Sequence, residues 1–270
     1  MSPQSQRNTG LSSNSSKQRI ATSFGRAVES YDDAARLQRY AAECLWQCLD
    51  PSPTLGVAVD LGCGTGLQLS KIQQNADAVI AIDLSRGMLK HAQCQYPDDS
   101  CLWLQGDAES LPLLDATVDT LYSNLMVQWC HDLDQALREI YRVLKPGGRA
   151  VVSTLLRGSL AELEQAWRSV DDYRHVNDFL SAEHISEQLQ TQRFSVARLQ
   201  VEPLTLEYQR LTALTRELKS VGANVVTENK RKSPLSKLDV QRLLSGYEPF
   251  RLSNDKLPAT YQIGVLVLQR

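Results

Sequence analysis

The chain has 270 residues, of which 42% are hydrophobic and 22% charged, as is typical of a globular protein with a sizeable core. Its formal charge of −2 argues against a main partner such as DNA or RNA, and no apolar run is long enough to cross a membrane. Six cysteines form no C-x-x-C pair, four histidines are scattered, and no signal peptide is apparent. We therefore expect a reduced, cytoplasmic protein without a metal site.

The first fifty residues are predicted to be disordered and then helical. Residues 1–16 are rich in Ser, Asn and Gln, which favours disorder. Residues 17–50 show apolar positions at helical spacing and are interpreted as two helices that form a lid. No linker divides the remainder, so 17–270 is predicted to be a single domain.

From Val57 the pattern alternates between strand and helix. Strands are predicted at Val57–Leu61, Ala78–Ile82, Cys101–Gln105, Val118–Ser123 and Arg149–Thr154. Helices are predicted at Leu67–Gln74, Ser85–Gln95 and Asp132–Leu144. Repeated strand–helix units require a parallel sheet with helices on both faces, and this core spans 57–154.

The regular alternation of strand and helix ends after Thr154. We expect a helical insertion that covers the site between Gly158 and Leu189, and the later elements complete the segment 155–270 as cap helices and last strands. These are a strand at Phe194–Leu206, helices at Leu211–Val221 and Leu235–Ser245, and a central last strand at Thr260–Leu268. The fold class is therefore α/β, with a seven-stranded, mostly parallel sheet.

The most informative motif is Asp60-Leu-Gly62-Cys-Gly64-Thr-Gly66, between a predicted strand and a predicted helix. Glycines leave no Cβ between the main chain and a ligand, and a helix start offers unpaired N–H groups. A dinucleotide fingerprint would need glycine where Leu67 stands, and a P-loop would need Lys and Ser or Thr after Gly66. The motif resembles motif I of the class I S-adenosylmethionine-dependent methyltransferases, with a plain structural turn as the alternative.

Polar side chains follow three further strands, at the sheet edge where open α/β proteins bind ligands. Asp83 can accept two ribose hydroxyls, or it can cap the next helix, and the adjacent Leu84 is also predicted to contact the cofactor. In the methyltransferases that this motif resembles, the residues at Asp107 and Ala108 read the adenine edge; a surface turn is the alternative. Asn124 ends the fourth strand but lacks the prolines typical of enzymes that methylate nucleic-acid bases, so base methylation loses support.

Further segments, inside the core and on either side of it, narrow the resemblance to one family. They are Phe24-Gly-Arg-Ala27 with Tyr31, Leu37-Gln-Arg39, Ser123–Cys130, Ala136–Gly148, Gly158-Ser-Leu160, Ala166-Trp167, Val170-Asp171, His175-Val-Asn177, Leu218–Ala223 and Tyr261. Together they resemble the malonyl-acyl-carrier-protein O-methyltransferases of biotin synthesis, from about Arg19 to Leu268. A methyltransferase for a different small molecule is the alternative.

This resemblance implies a Rossmann-like class I methyltransferase fold and a carboxyl O-methyltransferase. The methyl group would pass from S-adenosylmethionine, which leaves as S-adenosylhomocysteine, to the free carboxylate of malonyl-acyl carrier protein or malonyl-CoA. The methyl ester would then prime pimeloyl synthesis for biotin. A nicotinamide-dependent oxidoreductase is disfavoured by Leu67, and a non-catalytic module that only binds the cofactor is the remaining alternative.

The expected reaction needs no general base, because a malonyl carboxylate is already ionised at neutral pH. Positioning of the substrate is assigned to Tyr31, Gln128 and Trp129, with core packing as the alternative for the tryptophan. A direct cation clamp on the attacking oxygen would stabilise the ground state more than the transition state. Offset groups are therefore expected to select the substrate, and the candidates are Arg26, Arg39, His175, Asn177 and Lys219.

The carrier protein that serves this family is acidic, so the resemblance implies a local positive surface on this chain. The densest basic run is Lys230-Arg231-Lys232, which we interpret as the carrier-protein patch. A solvated loop is the alternative.

Overall fold

A computed structural model describes residues 4–49, 54–97, 101–223 and 233–270, with side chains from Ser16 onward within these ranges. The helices are α1 (Gln4–Ala34), α2 (Arg36–Gln47), α3 (Leu69–Gln73), α4 (Arg86–Gln95), α5 (Leu133–Val143), α6 (Ala161–Trp167), α7 (Ala182–Thr191), α8 (Leu211–Ser220) and α9 (Lys237–Tyr247). The strands are β1 (Val57–Leu61), β2 (Ala78–Asp83), β3 (Cys101–Gln105), β4 (Val118–Ser123), β5 (Leu144–Leu155), β6 (Val196–Tyr208) and β7 (Leu257–Gln269).

The strands form one sheet in the order β3-β2-β1-β4-β5-β7-β6. Strands β1 to β5 pair in parallel, and β7 lies antiparallel between β5 and β6. This arrangement confirms the predicted fold class and the central position of the last strand. The order reverses between β1 and β4, and such a reversal opens a crevice at the carboxyl ends of the strands, where ligands bind in this architecture.

The core consists of two apolar layers, one on each face of the sheet. Side chains on β1 alternate between them: Ala58 belongs to the layer with α2, α3, α4, α6, α8 and α9. Val59 and Leu61 belong to the layer with α5 and α7. The period of two along a strand sends successive residues to opposite faces, which is why both layers form from one short apolar run.

The insertion after β5 divides between the two faces. Helix α6 packs on the first layer, whereas Ile185 and Leu189 of α7 pack in the second. The expectation that the whole insertion covers the site is therefore wrong for α7, because its apolar stripe is buried against the opposite face of the sheet.

Two boundaries differ from the sequence prediction by more than three residues. The backbone of residues 4–15, predicted to be disordered, is helical, since α1 begins at Gln4; extending an existing helix adds one hydrogen bond for each residue fixed. Strand β5 begins at Leu144 instead of Arg149, because Gly147 and Gly148 exchange backbone hydrogen bonds of 2.9 Å with Arg270. The division of the chain into lid, core and cap segments stays a prediction.

Within the described ranges, no helix combines the length and the apolar character needed to cross a membrane.

Candidate active site

The glycine turn after β1 forms the floor of the site. The N–H groups of Gly62 and Cys63 donate to the Ile82 carbonyl of the neighbouring strand at 2.7 and 3.0 Å, which fixes the turn to β2. Gly62 has φ +76°, and a Cβ there would lie 2.4 Å from the Met126 side chain. Gly64 has φ +55°, and a Cβ there would meet nothing within 4 Å. The turn thus requires glycine for its conformation, and it leaves open space above Gly64 for a ligand.

Asp83 lies beside this turn at the end of β2. Its Oδ2 accepts the Gly64 N–H at 2.9 Å, and its Oδ1 accepts the Ser85 N–H at 2.7 Å. Burial raises the pKa of Asp83, and the two N–H donors counteract this rise because they stabilise the ionised form. A carboxylate has about four acceptor positions, so each oxygen can still accept a further donor such as a ribose hydroxyl.

Lys17 of α1 closes the site over the end of β3. Its ammonium group lies 2.6 Å from Asp107 and 2.9 Å from Glu109. The Glu109 N–H also donates to Asp107 at 3.0 Å. Sequence reasoning missed Lys17, because it stands in a polar stretch without a motif, and only the path of α1 brings it to these carboxylates.

Asn124 lies at the end of β4 and holds the second helix against the sheet. Its Nδ2 donates to the Gln38 carbonyl at 2.9 Å, and its Oδ1 accepts from the Ser153 hydroxyl at 2.7 Å. The next residue, Leu125, has φ +51° and donates its N–H to the same hydroxyl at 2.9 Å. A leucine in this left-handed region costs about 1–3 kcal/mol, and such strain is concentrated at functional sites.

These strand ends enclose a cavity of about 100 Å³ beneath α1. Among its lining residues are most of the predicted cofactor contacts, namely Gly62, Gly64, Asp83, Leu84, Asp107, Ala108 and Asn124. This volume is below the roughly 300–1,000 Å³ that is usual for ligand pockets.

Two predicted cofactor residues lie outside this cavity. Asp60 is only 3% exposed, and Gly66 faces Tyr96, whose ring would lie 2.8 Å from a Cβ at that position. Neither residue lines the cavity. The motif thus predicted the turn but not the direction of each residue, which depends on the positive-φ conformations of Gly62, Gly64 and Gly66.

A larger cavity of about 1110 Å³ adjoins the first, and all three predicted positioning residues, Tyr31, Gln128 and Trp129, line it. Four residues line both cavities: Phe24, Tyr31, Leu125 and Trp129. The Phe24 and Trp129 rings meet edge to face, with centroids 5.3 Å apart. Aromatic side chains attract cations, so the place where the two cavities meet suits a positively charged group such as a sulfonium.

Two half-buried glutamines line the larger cavity. The Oε1 atoms of Gln38 and Gln128 are inaccessible to solvent and have no hydrogen-bond partner within the described part of the chain. A buried acceptor without a partner costs about 1–3 kcal/mol, a cost that a bound ligand can remove. Sequence reasoning missed Gln38, although Leu37-Gln-Arg39 belongs to the resemblance, because Arg39 was preferred for its charge.

Four of the five predicted substrate residues line the larger cavity. Arg26 and Lys219 are exposed. His175 stacks on Trp167 with ring centroids 3.6 Å apart and lies 2.8 Å from Asp171. The fourth is Asn177. The assignment of Arg39 is wrong, because its exposed guanidinium donates to the Asp32 carbonyl, away from the cavity. The predicted carrier-protein patch, Lys230, Arg231 and Lys232, lies outside the described residues.

Comparisons with known proteins identify the family of this chain. Residues 59–152 match a family model described as a methyltransferase domain. Malonyl-[acyl-carrier protein] O-methyltransferase from Yersinia pestis is 40% identical over 257 residues, which cover 95% of this chain and 93% of that protein. The chain belongs to the malonyl-[acyl-carrier protein] O-methyltransferase family.

Two other relatives of the family agree with this placement. The enzyme of the same description from Methylococcus capsulatus is 39% identical over 238 residues, or 86% of each chain. The chain also matches half the length of the biotin biosynthesis bifunctional protein of Cellvibrio japonicus, with 37% identity over 93% of this chain.

Solved structures show the fold that the malonyl-[acyl-carrier protein] O-methyltransferase family shares with other methyltransferases. The YcgJ protein from Bacillus subtilis superposes with a TM-score of 0.60 at 16% identity, covering 85% of this chain and 97% of that one. An S-adenosylmethionine-dependent methyltransferase from Mesorhizobium loti gives 0.50 at 17% identity, covering 84% and 96%. At these identities the likeness concerns the fold alone, and it confirms the Rossmann-like class I methyltransferase architecture.

The residues of the smaller cavity fit the co-substrate of such a methyltransferase. The open space above Gly64 and the two-oxygen acceptor at Asp83 match a nucleoside with a ribose, and the aromatic junction matches a cationic centre. Within the described ranges, no three His, Cys, Asp or Glu residues are placed to hold a metal ion, and the expected lack of a metal stays a prediction.

Proposed function

We propose that this chain methylates the free carboxylate of a malonyl thioester, with S-adenosylmethionine as the methyl donor. The substrate is malonyl-acyl carrier protein, with malonyl-CoA as a second possible form, and the methyl ester primes pimeloyl synthesis for biotin. The observation that carries the proposal is the meeting of the two cavities at Phe24, Tyr31, Leu125 and Trp129. The printed names of the relatives support the choice of substrate.

When bound, the co-substrate supplies a methyl group on a positively charged sulfur. A bond forms between the carboxylate oxygen and the methyl group as the sulfur–methyl bond breaks. The electron pair of the sulfur–methyl bond stays on sulfur. No proton moves, because the carboxylate arrives ionised. The work of the protein is therefore to hold the carboxylate close to the methyl group and in line with it, which can contribute roughly 7–11 kcal/mol.

The junction between the cavities also excludes water. A cation and an anion combine to give neutral products, so charge disappears in the transition state, and a site poor in water favours that change. Leu125 is buried, and the Phe24 and Trp129 rings pack together where the cavities meet. These apolar groups separate the reacting centre from the exposed mouth of the larger cavity.

The carboxylate is best recognised by neutral amides in this arrangement. By rotation about its last bond, a glutamine can direct its NH₂ group at a carboxylate, and the Oε1 atoms of Gln38 and Gln128 have no partner among the described residues. A neutral donor orients the carboxylate but neutralises less of its charge than an arginine would. Nucleophilicity is thereby kept while acyl groups without the free carboxylate bind less well.

The proposal further expects a cytoplasmic enzyme that acts on neither nucleic acid nor membrane.

A direct experiment tests the activity. The enzyme is incubated with methyl-labelled S-adenosylmethionine and malonyl-, succinyl- or acetyl-acyl carrier protein, and the label on the carrier is tested for lability to base. We expect a base-labile label on the malonyl form and none on the acetyl form, which lacks a free carboxylate. An unlabelled malonyl carrier, or equal labelling of the acetyl carrier, contradicts the proposed function.

A further inference from the structure

The larger cavity concentrates positive charge, although the whole chain carries a formal charge of −2. Its described lining contains a single carboxylate, that of Glu217. The same lining contains five cationic side chains, namely Arg19, Arg26, Arg174, Arg216 and Lys219. Like charges gathered around one opening create a local positive potential that attracts an anion.

Four of these cations form what we term the basic collar: Arg19 and Arg26 on α1, and Arg216 and Lys219 on α8. All four are exposed. The pair on α1 is seven residues apart and the pair on α8 is three apart, so each pair lies on one face of its helix.

The two helices that carry the collar are joined by hydrogen bonds. The Ser23 hydroxyl donates to the Gly222 carbonyl at 3.2 Å, and the Ser30 hydroxyl donates to the Ser220 carbonyl at 3.1 Å. A Cβ on Gly222 would come within 3.1 Å of Phe24 on α1. The collar therefore sits on two helices in close contact, and its four cations line the same cavity.

Three of the four collar cations are not balanced by a carboxylate within the described residues. Arg26, Arg216 and Lys219 form no ion pair with another described side chain. The carboxylate of Glu217 is already engaged by Arg36 at 3.2 Å and by the Tyr208 hydroxyl at 3.1 Å. Arg174, which is not part of the collar, is paired with Asp178 at 2.5 Å.

The anion that the collar attracts is not the carboxylate that reacts. The reacting group must reach the junction of the two cavities, next to buried Leu125, whereas the collar residues are exposed to solvent. A single ligand that reaches both the junction and the basic collar needs a carboxylate at the junction and a second anionic group at the collar. The cavity, at about 1110 Å³, exceeds the usual range for compact small molecules and has room for an extended chain.

We propose that the basic collar binds the phosphate of the thioester's phosphopantetheine arm. This inference rests on the proposed function, since it takes a malonyl thioester as the substrate. The phosphate is common to a carrier-protein-bound thioester and a CoA thioester. A phosphate diester accepts hydrogen bonds from arginine and is an anion at any working pH, so the collar anchors the arm while its far end reaches the junction.

The test compares malonyl-phosphopantetheine with malonyl-pantetheine, which lacks only the phosphate, and includes malonyl-CoA and malonyl-acyl carrier protein to distinguish the two sources. For the unmodified enzyme we expect a KM about tenfold lower for the phosphorylated arm, the effect of one hydrogen bond to a charged group. In the variant Arg26→Gln/Arg216→Gln/Lys219→Gln the KM ratio should fall toward one. The matched control Lys90→Gln/Arg193→Gln/Lys237→Gln removes the same charge from exposed positions outside the cavity and should keep the ratio.

The outcomes separate the two proposals. If no malonyl thioester is methylated, the proposed function fails. If the unmodified enzyme does not distinguish the two pantetheine arms, or the collar variant retains the ratio, the phosphate proposal is overturned while the function stands. If the collar variant raises KM only for the carrier-protein substrate, the collar docks the acidic surface of that protein instead, which also overturns it.

Discussion

Gln128 illustrates how a neutral side chain can select an anion. Its Oε1 is buried in the larger cavity without a partner among the described residues. A glutamate has almost the same size as this glutamine, but it has an acceptor oxygen where the glutamine has a donor NH₂ group. An exchange of the two therefore tests recognition of the carboxylate with little change in packing.

We predict that Gln128→Glu raises KM for malonyl-acyl carrier protein by about 10–100-fold, because an acceptor-only carboxylate replaces a donor; this corresponds to roughly 1.5–3 kcal/mol for a hydrogen bond to a charged group. Steady-state kinetics provide the measurement. Gln18→Glu is the matched control, since Gln18 lines the same cavity but is exposed, and its KM should change far less. Equal effects of the two substitutions would show that general repulsion, and not contact, is responsible.

Asp83 combines two tasks in one carboxylate. It pairs the N–H groups of Gly64 and Ser85, and it offers its remaining acceptor positions to the cavity. A truncation therefore removes both a ligand contact and two partners of the backbone.

We predict that Asp83→Ala weakens the binding of S-adenosylmethionine by roughly 1.5–3 kcal/mol, measured by isothermal titration calorimetry. Asp83→Asn retains one oxygen and should lose less. A fall in thermal stability with unchanged affinity would mean that the residue only supports the turn.

Helix α1 crosses α4 at a point where both helices have glycine. A Cβ on Gly87 would lie 3.1 Å from the Cα of Gly25, and a Cβ on Gly25 would lie 3.1 Å from the Ser85 hydroxyl. This close approach lets α1 lie across the ends of the strands, where Phe24 and Tyr31 line both cavities. The glycine in Phe24-Gly-Arg-Ala27 is thus explained by packing between helices.

We predict that Gly25→Leu pushes α1 away from α4, costs about 1–3 kcal/mol of stability and weakens binding of S-adenosylmethionine, because the residues of α1 no longer close over the cofactor cavity. Urea unfolding and calorimetry provide the two measurements. Glu29→Leu, at an exposed position on the same helix that lines neither cavity, is the control and should bind normally. Normal binding by the Gly25 variant would show that α1 need not pack there.

The centre of the sheet buries two carboxyl groups, and this affects the stability of the protein. Burial, with the nearby charge of Asp83, raises the pKa of Asp60 to about 7. An unfolded aspartate titrates near its ordinary value of roughly 3.9, so between these two values the folded state holds a proton that the unfolded state has lost. The contribution of Asp60 to stability is therefore full at low pH and is lost as the pH rises from about 4 to 7.

We predict that Asp60→Asn is more stable than the unmodified protein at pH 8, by up to a few kcal/mol, and that the difference shrinks as the pH falls toward 4. Urea unfolding at several pH values measures it. The exposed Asp172→Asn should show no such trend. A difference independent of pH would place the pKa of Asp60 near its ordinary value.

Local patterns were sufficient for most of the secondary structure. Strands Val57–Leu61, Cys101–Gln105 and Val118–Ser123 have the predicted bounds, because short apolar runs ended by glycine or polar residues leave few alternatives. Asp132, the first residue of the predicted helix, caps α5 by accepting the Gln135 N–H at 3.0 Å. Such features depend on neighbours within one turn of chain, and the sequence displays those neighbours directly.

The amino-acid order also sufficed for the sheet, the glycine turn and the family, since each rests on residue types at set spacings along the chain. It did not show that Gln38 faces the cavity while Arg39 does not, that Asp60 and Gly66 lie away from the ligand space, or that Lys17 reaches Asp107. Those placements depend on how each helix is rotated and where it crosses the sheet. Packing between elements far apart in the chain sets that rotation, so only the folded arrangement could decide which side chains meet the substrate.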